Sequence, residues 1–138
     1  MAADEVLLPI QCEYYALEGV TQLMRTIEAV RHAMNKELRL GSILMTMFDG
    51  RTRLSTQVDE EVRTHFARET MSTRIPRSVR VSEAPSYSRS VLTYEPTSAG
   101  AVAYREAAAE FAKRHACDEH STNTSGVKHP DASDTKKG

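Results

Sequence analysis

The stretch Arg74-Ile75-Pro76-Arg77-Ser78-Val79-Arg80-Val81-Ser82-Glu83-Ala84-Pro85-Ser86-Tyr87 links a β-like segment to a Pro-Ser-Tyr turn. It contains three arginines and one glutamate. When a loop follows a strand in an α/β protein, it lies at the carboxyl edge of the sheet, where ligands bind. The stretch therefore predicts a loop at the ligand-binding edge of an α/β fold.

The segments around this stretch alternate between strand and helix patterns. Short apolar runs at residues 6–10 and 42–48 predict two buried strands, and a run diluted by polar residues at 70–75 predicts a third. Helical patterns separate the three runs. This alternation predicts parallel strands joined by right-handed crossovers, and therefore an α/β layer.

Two amphipathic helices are predicted between these strands. The first begins between Tyr14 and Leu17 and stops at Asn35, and the second begins at a Ser55 cap and ends at Phe66. Asp59 and Arg63 are expected on the outer face of the second helix as an exposed ion pair. The predicted inner faces are Leu17, Val20, Met24, Ile27, Val30 and Met34 in the first helix, and Leu54, Val58, Val62 and Phe66 in the second.

The last third of the chain predicts a final helix and a tail. Ser82 is predicted to cap one helical turn ending at Pro85, and residues 91–94 are predicted to be extended. The final helix runs from Thr97 or Ser98 to about His115. Its predicted inner face consists of Ala101, Tyr104, Ala108, Phe111 and Ala112. Residues 118–138 are too polar to offset their ordering entropy, so we expect a domain at 1–117 and a disordered tail at 118–138.

Composition limits the class of protein. With 138 residues, 40% hydrophobic and 27% charged, the chain has the composition of one ordinary globular domain. Its formal net charge of −1 gives no global attraction to nucleic acid, so any such binding requires a local patch. The two cysteines lie far apart without a CxxC pair, which argues against a disulfide framework and a cysteine zinc site. We expect neither a signal peptide nor a membrane span. We expect a cytoplasmic location.

Three blocks of sequence resemble one known family in the same order. Residues 75–86 resemble the signature near the C-terminus of the ParA/Soj family of chromosome- and plasmid-partitioning ATPases. The blocks Ala3-Asp4-Glu5-Val6-Leu7-Leu8-Pro9-Ile10-Gln11-Cys12-Glu13-Tyr14-Tyr15-Ala16-Leu17-Glu18-Gly19 and Leu44-Met45-Thr46-Met47-Phe48-Asp49-Gly50-Arg51-Thr52 are similar to that family too. The resemblance covers roughly residues 3 to 115. It implies the C-terminal half of a P-loop NTPase-like fold, with a partial doubly wound parallel sheet and flanking helices.

The resemblance also implies ligands and partners. In these deviant P-loop ATPases two subunits sandwich ATP, and the homodimer then binds double-stranded DNA without sequence preference. Carried over by position, Thr46, Pro76 and Arg77 lie near the nucleotide, whereas Arg51 and Arg80 contact DNA. Arginine suits phosphate contacts because its planar fork donates two hydrogen bonds and keeps its charge. The family further implies a ParB-like centromere-binding partner and a nucleoid-associated location.

The phosphate-binding loop of the family has no counterpart here. ATP hydrolysis in this class needs a glycine-rich loop with a lysine, and an aspartate at a strand end for magnesium. None of the six glycines of this chain is followed by lysine, and Asp49-Gly50 is typical of a turn. We therefore assign no catalytic residue and no metal ligand. The ATP and magnesium that the family implies are not expected to bind this chain alone.

Several hypotheses remain open from the sequence. The chain could act as a DNA-contacting binding module that needs a nucleotide-binding partner, as a truncated remnant without function, or as a regulator that docks on an intact homologue. The thirteen arginines could also reflect only composition bias and a solvated edge. The match itself is relaxed at Ser88, where the family usually has glycine. If that position has positive φ, serine costs about 1 kcal/mol there.

Overall fold

The computed structural model describes residues 3–122, which form a three-stranded parallel sheet with helices. The strands are β1 (Glu5–Gln11), β2 (Arg39–Phe48) and β3 (Thr70–Pro76), in the spatial order β1-β2-β3. The helices are α1 (Ala16–Ala33), α2 (Arg53–His65), α3 (Val79–Glu83), α4 (Val91–Tyr94) and α5 (Ala99–Thr122), with a 3₁₀ turn at Ala84–Tyr87 after α3. All three predicted strands and the parallel α/β layer are confirmed.

The two strand pairings differ in regularity. β1 follows β2 from Glu5 opposite Arg39 to Gln11 opposite Thr46, with one shift after Val6. β3 pairs with β2 only at intervals, where Ile43 faces Thr70, Met45 faces Arg74 and Phe48 faces Pro76. The carboxyl ends of β2 and β3 are therefore adjacent, although the pairing that leads to them is irregular.

Helices cover both faces of the sheet. Ile43 and Met45 of β2 point to one face, where they pack with Val20 and Ile27 of α1 and with Val58 and Val62 of α2. Leu44 points to the opposite face and joins Met71, Ile75, Ala103 and Ala107, the last two from α5. This arrangement confirms the predicted parallel sheet with flanking helices. No helix within residues 3–122 is both long and apolar enough to cross a membrane.

The structure corrects several predictions about α1 and α2. Met34 is 72% exposed because α1 ends at Ala33, so this residue lies beyond the packed stripe. The cap of α2 is Thr52, whose side chain accepts a hydrogen bond from the backbone N–H of Ser55, and not Ser55 itself. Leu54 is exposed because it lies in the first turn of a helix that starts earlier than predicted.

The largest error in the prediction of α2 concerns the exposure of Asp59. Its residue surface is only 3% exposed, whereas the sequence pattern predicts an outward carboxylate. The prediction was wrong because Asp59 lies four residues after buried Ser55 and next to Val58, on the face that packs against the sheet. A helical ion pair with Arg63 does exist, but it is not an exposed one.

The last third of the chain also differs from prediction. Ser82 lies within α3 and does not cap it, and residues 91–94 are helical because Thr93 and Tyr94 donate backbone hydrogen bonds to the Ser90 carbonyl. On α5, Ala103 and Ala107 are buried while Ala108 and Ala112 are exposed. Alanine is small enough to allow close packing on either side, so the alanine-rich pattern does not fix the orientation of the helix. α5 continues to Thr122, and the rest of the predicted tail lies outside the described residues.

Candidate functional site at the carboxyl edge of the sheet

The carboxyl ends of β2 and β3 bring two arginine-bearing loops to one edge of the sheet. Phe48 and Pro76, the last residues of these strands, face each other. Immediately beyond them, the backbone N–H of Arg77 donates to the Phe48 carbonyl over 2.9 Å. The loop after β2 and the segment after β3 therefore start as direct neighbours, as the parallel strand order predicts.

The loop after β2 is a compact turn built around Asp49. The Asp49 carboxylate accepts from the backbone N–H of Arg51 at 3.1 Å and from its guanidinium Nε at 3.2 Å. The Asp49 carbonyl accepts from the backbone N–H of Thr52 at 3.0 Å, and Thr52 then caps α2. The hydrogen bonds from the Arg51 side chain and backbone hold the pKa of Asp49 below its ordinary range. Asp49 is thus the turn residue that the sequence predicts, and its side chain orients Arg51.

Arg51 and Arg80 both present their guanidinium groups to solvent, and each forms an ion pair with a different carboxylate. The Arg51 side chain is 91% exposed beside Asp49. Arg80 lies on α3 with a 55% exposed side chain, and its Nη1 is 3.2 Å from the Glu83 carboxylate. The Tyr94 hydroxyl donates to the same Glu83 carboxylate at 3.5 Å. Because each carboxylate engages only part of a five-donor guanidinium, further donors remain for an anion.

The positions predicted to lie near a nucleotide are spread along the same edge. The Thr46 hydroxyl donates to the Ile10 carbonyl at 3.0 Å, and the Thr46 carbonyl accepts from Cys12, so Thr46 is on the β1 side of β2. Pro76 and Arg77 are on the opposite side, against Phe48. The Arg77 side chain is exposed and has no hydrogen-bond partner within residues 3–122. The structure therefore groups Pro76 and Arg77 with the Arg51 loop more closely than with Thr46.

A charge network around the buried carboxylate of Asp59, which sequence reasoning missed, lies beneath this edge. Asp59 Oδ2 accepts from Arg74 Nη2 at 2.7 Å, from Arg74 Nε at 3.0 Å and from Arg63 Nε at 3.0 Å. The Arg74 guanidinium also lies over the Phe48 ring, 5.4 Å from its centroid. Burial by itself would raise the pKa of Asp59, but the hydrogen bonds from Arg74 and Arg63 outweigh burial and lower the pKa. Asp59 is thus an ionised carboxylate shared by two arginines from different elements.

The surroundings of Asp59 are enclosed. Asp59 Oδ1 and Arg63 Nη2 are both buried without a hydrogen-bond partner in residues 3–122. Polar atoms of this kind are the usual binding points of an internal water. Burial, followed by the negative charge of Asp59, raises the pKa of the nearby Cys12 thiol to about 11. Cys12 is therefore a neutral thiol at physiological pH.

Two sequence signals point to this network. Ser55, Val58, Asp59 and Val62 follow one another at the spacing of a single helix face, and all four are buried. Arg74 stands inside a predicted strand immediately before buried Ile75, and a charged side chain at such a position is unusual enough to suggest an acidic partner. Neither signal identifies the partner, because Asp59 and Arg74 come from different elements.

Comparison with known proteins agrees with this architecture. A family model described as an AAA domain matches residues 1–40. The Thermus thermophilus "Chromosome-partitioning ATPase Soj" is 50% identical over 113 residues, which are 82% of this chain and 45% of that protein. The "Chromosome partitioning protein ParA" of Caulobacter vibrioides is also 50% identical, over 82% of this chain and 42% of its own length. The Bacillus subtilis "Sporulation initiation inhibitor protein Soj" is 47% identical, over 80% of this chain and 44% of its own length.

A solved structure shares the fold. Cobyrinic acid a,c-diamide synthase from Mycobacterium smegmatis superposes with a TM-score of 0.57 at 32% identity, covering 94% of this chain and 42% of that chain. A second structure of that enzyme contains bound ADP and magnesium. The present chain spans less than half the length of these relatives. Over the residues that it shares with them, the chain belongs to the ParA/Soj family of chromosome-partitioning ATPases.

Proposed function

We propose that this chain is a ParA/Soj-like partitioning protein that contacts the backbone of double-stranded DNA, without sequence preference, through Arg51 and Arg80. The observation that supports the proposal best is the common origin of the two loops at the carboxyl edge of the sheet. Arg51 on the turn after β2 and Arg80 on α3, which follows β3, each present an exposed guanidinium that a neighbouring carboxylate already orients. Contacts of this kind bind phosphates and carry no base information.

The charges of the edge support contact with a polyanion. Arg77, which we assign to the nucleotide, adds a third exposed guanidinium to the positive charge of the edge directly after β3. With a net charge of −1 for the whole chain, long-range attraction to DNA is absent, so binding depends on this local cluster. Few contacts from one subunit give weak affinity. The family homodimer would double them, and we propose the same assembly here.

For the nucleotide, we propose contacts of this chain with the adenine side only. Thr46, Pro76 and Arg77 are the residues that we assign there. The residues present do not fit the phosphates and magnesium, because no glycine is followed by lysine and the Asp49 carboxylate is held by Arg51. We accordingly assign neither ATP hydrolysis nor a Walker A or Walker B role to any residue of this chain.

The partners and location follow from the family. The relatives named as partitioning proteins support a cytoplasmic, nucleoid-associated setting and a ParB-like centromere-binding partner. A truncated remnant would lack DNA affinity altogether. A regulator would bind an intact homologue more tightly than it binds DNA.

The DNA proposal predicts the behaviour of two alanine variants. Arg51→Ala and Arg80→Ala should each weaken binding to all duplex sequences about equally. Because log K falls by about 0.9 per phosphate neutralised for each decade of salt, each variant should flatten the salt dependence by roughly one unit. The measurement is a fluorescence anisotropy titration at several salt concentrations. It uses the full chain and a fusion of this chain to the remaining half of a close relative.

Arg25→Ala provides the matched control. Arg25 is an exposed cation on α1, and its loss changes the net charge by the same amount. Arg114 is unsuitable for this purpose, because its guanidinium donates to the backbone carbonyls of Arg68, Glu69 and Thr70. If the double variant at Arg51 and Arg80 keeps the parental affinity and salt slope, the edge is only a solvated surface.

A further inference from the structure

We infer that Asp59 is a positioning residue that fixes the two arginine-bearing loops relative to each other, and that it acts through Arg74. The inference rests on the proposed phosphate contacts of Arg51 and Arg80. It adds to them a buried carboxylate that touches no DNA.

The first step concerns what Arg74 joins. Its guanidinium contacts Asp59 of α2 at 2.7 and 3.0 Å and lies over the ring of Phe48, the last residue of β2. Its backbone belongs to β3, opposite Met45. One side chain thus connects β3 with a helix and with the end of the neighbouring strand. The regular β2–β3 ladder does not supply this connection, because its pairing is interrupted on both sides of Arg74.

The second step follows each contact to a loop. α2 begins at Arg53, directly after the Arg51 turn, and its cap Thr52 is bonded to Asp49. On the other side, Arg74 is followed by Ile75, Pro76 and Arg77, and the Arg77 N–H bonds to Phe48. Asp59 therefore closes a ring of contacts that contains the Arg51 turn and Arg77, the start of the segment that leads to Arg80 on α3. Networks of this kind, in which rigid elements are linked by directional bonds, are the physical basis on which two separate sites can be coupled.

The third step concerns what a charged contact between α2 and β3 provides that an apolar contact would not. An apolar contact would hold α2 on the sheet with less desolvation cost, since buried ion pairs often stabilise no better than hydrophobic packing. Directional bonds add a fixed orientation, because two nitrogens of one rigid guanidinium meet a single carboxylate oxygen. This property is useful where two separate arginines have to match the spacing of phosphates.

The sign of the Asp59→Asn effect separates positioning from charge. Removing this carboxylate adds one net positive charge below the proposed DNA edge. Charge alone therefore predicts tighter binding of a short DNA duplex. Positioning predicts the opposite, a loss of roughly threefold to tenfold in affinity. The slope of log K against log salt should stay unchanged, because Arg51 and Arg80 both remain.

Arg63 provides the matched control. Arg74→Gln and Arg63→Gln each remove one cation from the same carboxylate oxygen. Only Arg74 reaches another element, since Arg63 lies on α2 with Asp59. Arg74→Gln should weaken DNA binding as Asp59→Asn does, and Arg63→Gln should not. Arg74→Lys, which keeps the charge but loses the planar fork, covers the case in which Asp59→Asn does not fold.

A measurement without DNA keeps the inference separate from the proposed function. Backbone amide NMR of the full chain should show residues 49–52 and 77–80 shifting together in Asp59→Asn and Arg74→Gln, and neither group shifting in Arg63→Gln. If the unaltered chain fails to bind DNA, the proposed function fails, and the NMR result still decides the coupling. The inference is overturned if the two loops keep their shifts in Asp59→Asn and Arg74→Lys. It is equally overturned if Arg63→Gln moves them as much, or if Asp59→Asn tightens DNA binding.

Discussion

Ser88 is a non-glycine residue with a left-handed backbone conformation. It follows the 3₁₀ turn with φ 54° and ψ 35°, in the left-handed region, and its N–H donates back to the Pro85 carbonyl. A side chain in this region crowds the following carbonyl, whereas glycine does not. The positive φ therefore explains why glycine is usual at this position in the family that the sequence resembles.

Ser88→Gly should stabilise the protein. Relief of the left-handed conformation is worth about 1 kcal/mol, reduced somewhat by the greater freedom of glycine in the unfolded chain. The free energy of unfolding in urea measures the change. Ser86→Gly is the control, because Ser86 lies within the 3₁₀ turn and has no positive φ, so this variant should destabilise. Equal or lower stability of Ser88→Gly would show that the serine is not strained.

At the level of elements, Glu110 and Arg114 bond α5 to β3. The two carboxylate oxygens of Glu110 accept from the backbone N–H of Ser72 at 2.6 Å and of Thr73 at 2.9 Å. One turn later Arg114 donates to backbone carbonyls at the start of the strand. Burial would raise the pKa of Glu110, but the amide and hydroxyl donors of Ser72 and Thr73 lower the pKa below its ordinary value of 4.5.

Glu110→Gln should therefore destabilise the protein at neutral pH but have little effect in acid. A carboxyl group whose pKa is depressed by folding stabilises the native state above its unfolded pKa, and this stabilisation is lost as the pH falls through the folded pKa. The loss at pH 7 should be about 1 to 3 kcal/mol, because a glutamine amide cannot accept on both sides. The gap between the two stability curves should shrink below pH 4.5.

Urea unfolding at several pH values tests this dependence. Glu106→Gln is the matched control, since Glu106 is an exposed acid one turn earlier on the same helix. A constant difference between Glu110→Gln and the parent from neutral to acid pH would exclude the assigned role of the carboxylate.

The elements also show which features sequence alone predicts. The first two strands were predictable because residues 6–10 and 42–48 are short, mainly apolar runs of the length that a buried strand has. The Asp49 turn was predictable because its bonds are local. The short helix α4 was not, since backbone bonds to the Ser90 carbonyl outweigh the strand preference of Val91 and Thr93.

The candidate site also has one part that the sequence predicts and one part that it does not. The convergence of the Arg51 and Arg77 segments follows from parallel strand order, which the alternating pattern predicts. The Asp59 network depends on which face of α2 packs against the sheet. The positions of Val58 and Val62 alone are also compatible with an exposed Asp59. Only the position of Arg74 on the neighbouring strand explains why a carboxylate is buried there.

At the level of the whole molecule, β1 is an open edge. Within residues 3–122 it pairs only with β2, and α5 packs over β2 and β3 on one face of the sheet. Leu7 of β1 is consequently 44% exposed. An uncovered apolar edge strand promotes association between chains.

Leu7→Lys should reduce self-association of the isolated chain. A lysine on an edge strand disfavours pairing because two charged side chains would meet and lose water. Sedimentation velocity over a concentration series measures the effect, with Val102→Lys on α5 as an exposed apolar control. If the parent chain is a monomer at every concentration, the edge does not drive association.

The contact between Glu110 and β3 also makes the sheet unequal at its two sides. The amides of Ser72 and Thr73 are already occupied, so an incoming strand finds donors withheld there and available along β1. We therefore expect strand addition between copies to be less favourable at the middle of β3 than along β1. A pairing of β1 with β1 uses the open side of both copies and ends at a dimer, whereas a sheet open on both sides could grow into a filament. If copies associate through the sheet, we expect the Glu110 carboxylate, which holds α5 on β3, to disfavour growth beyond a dimer.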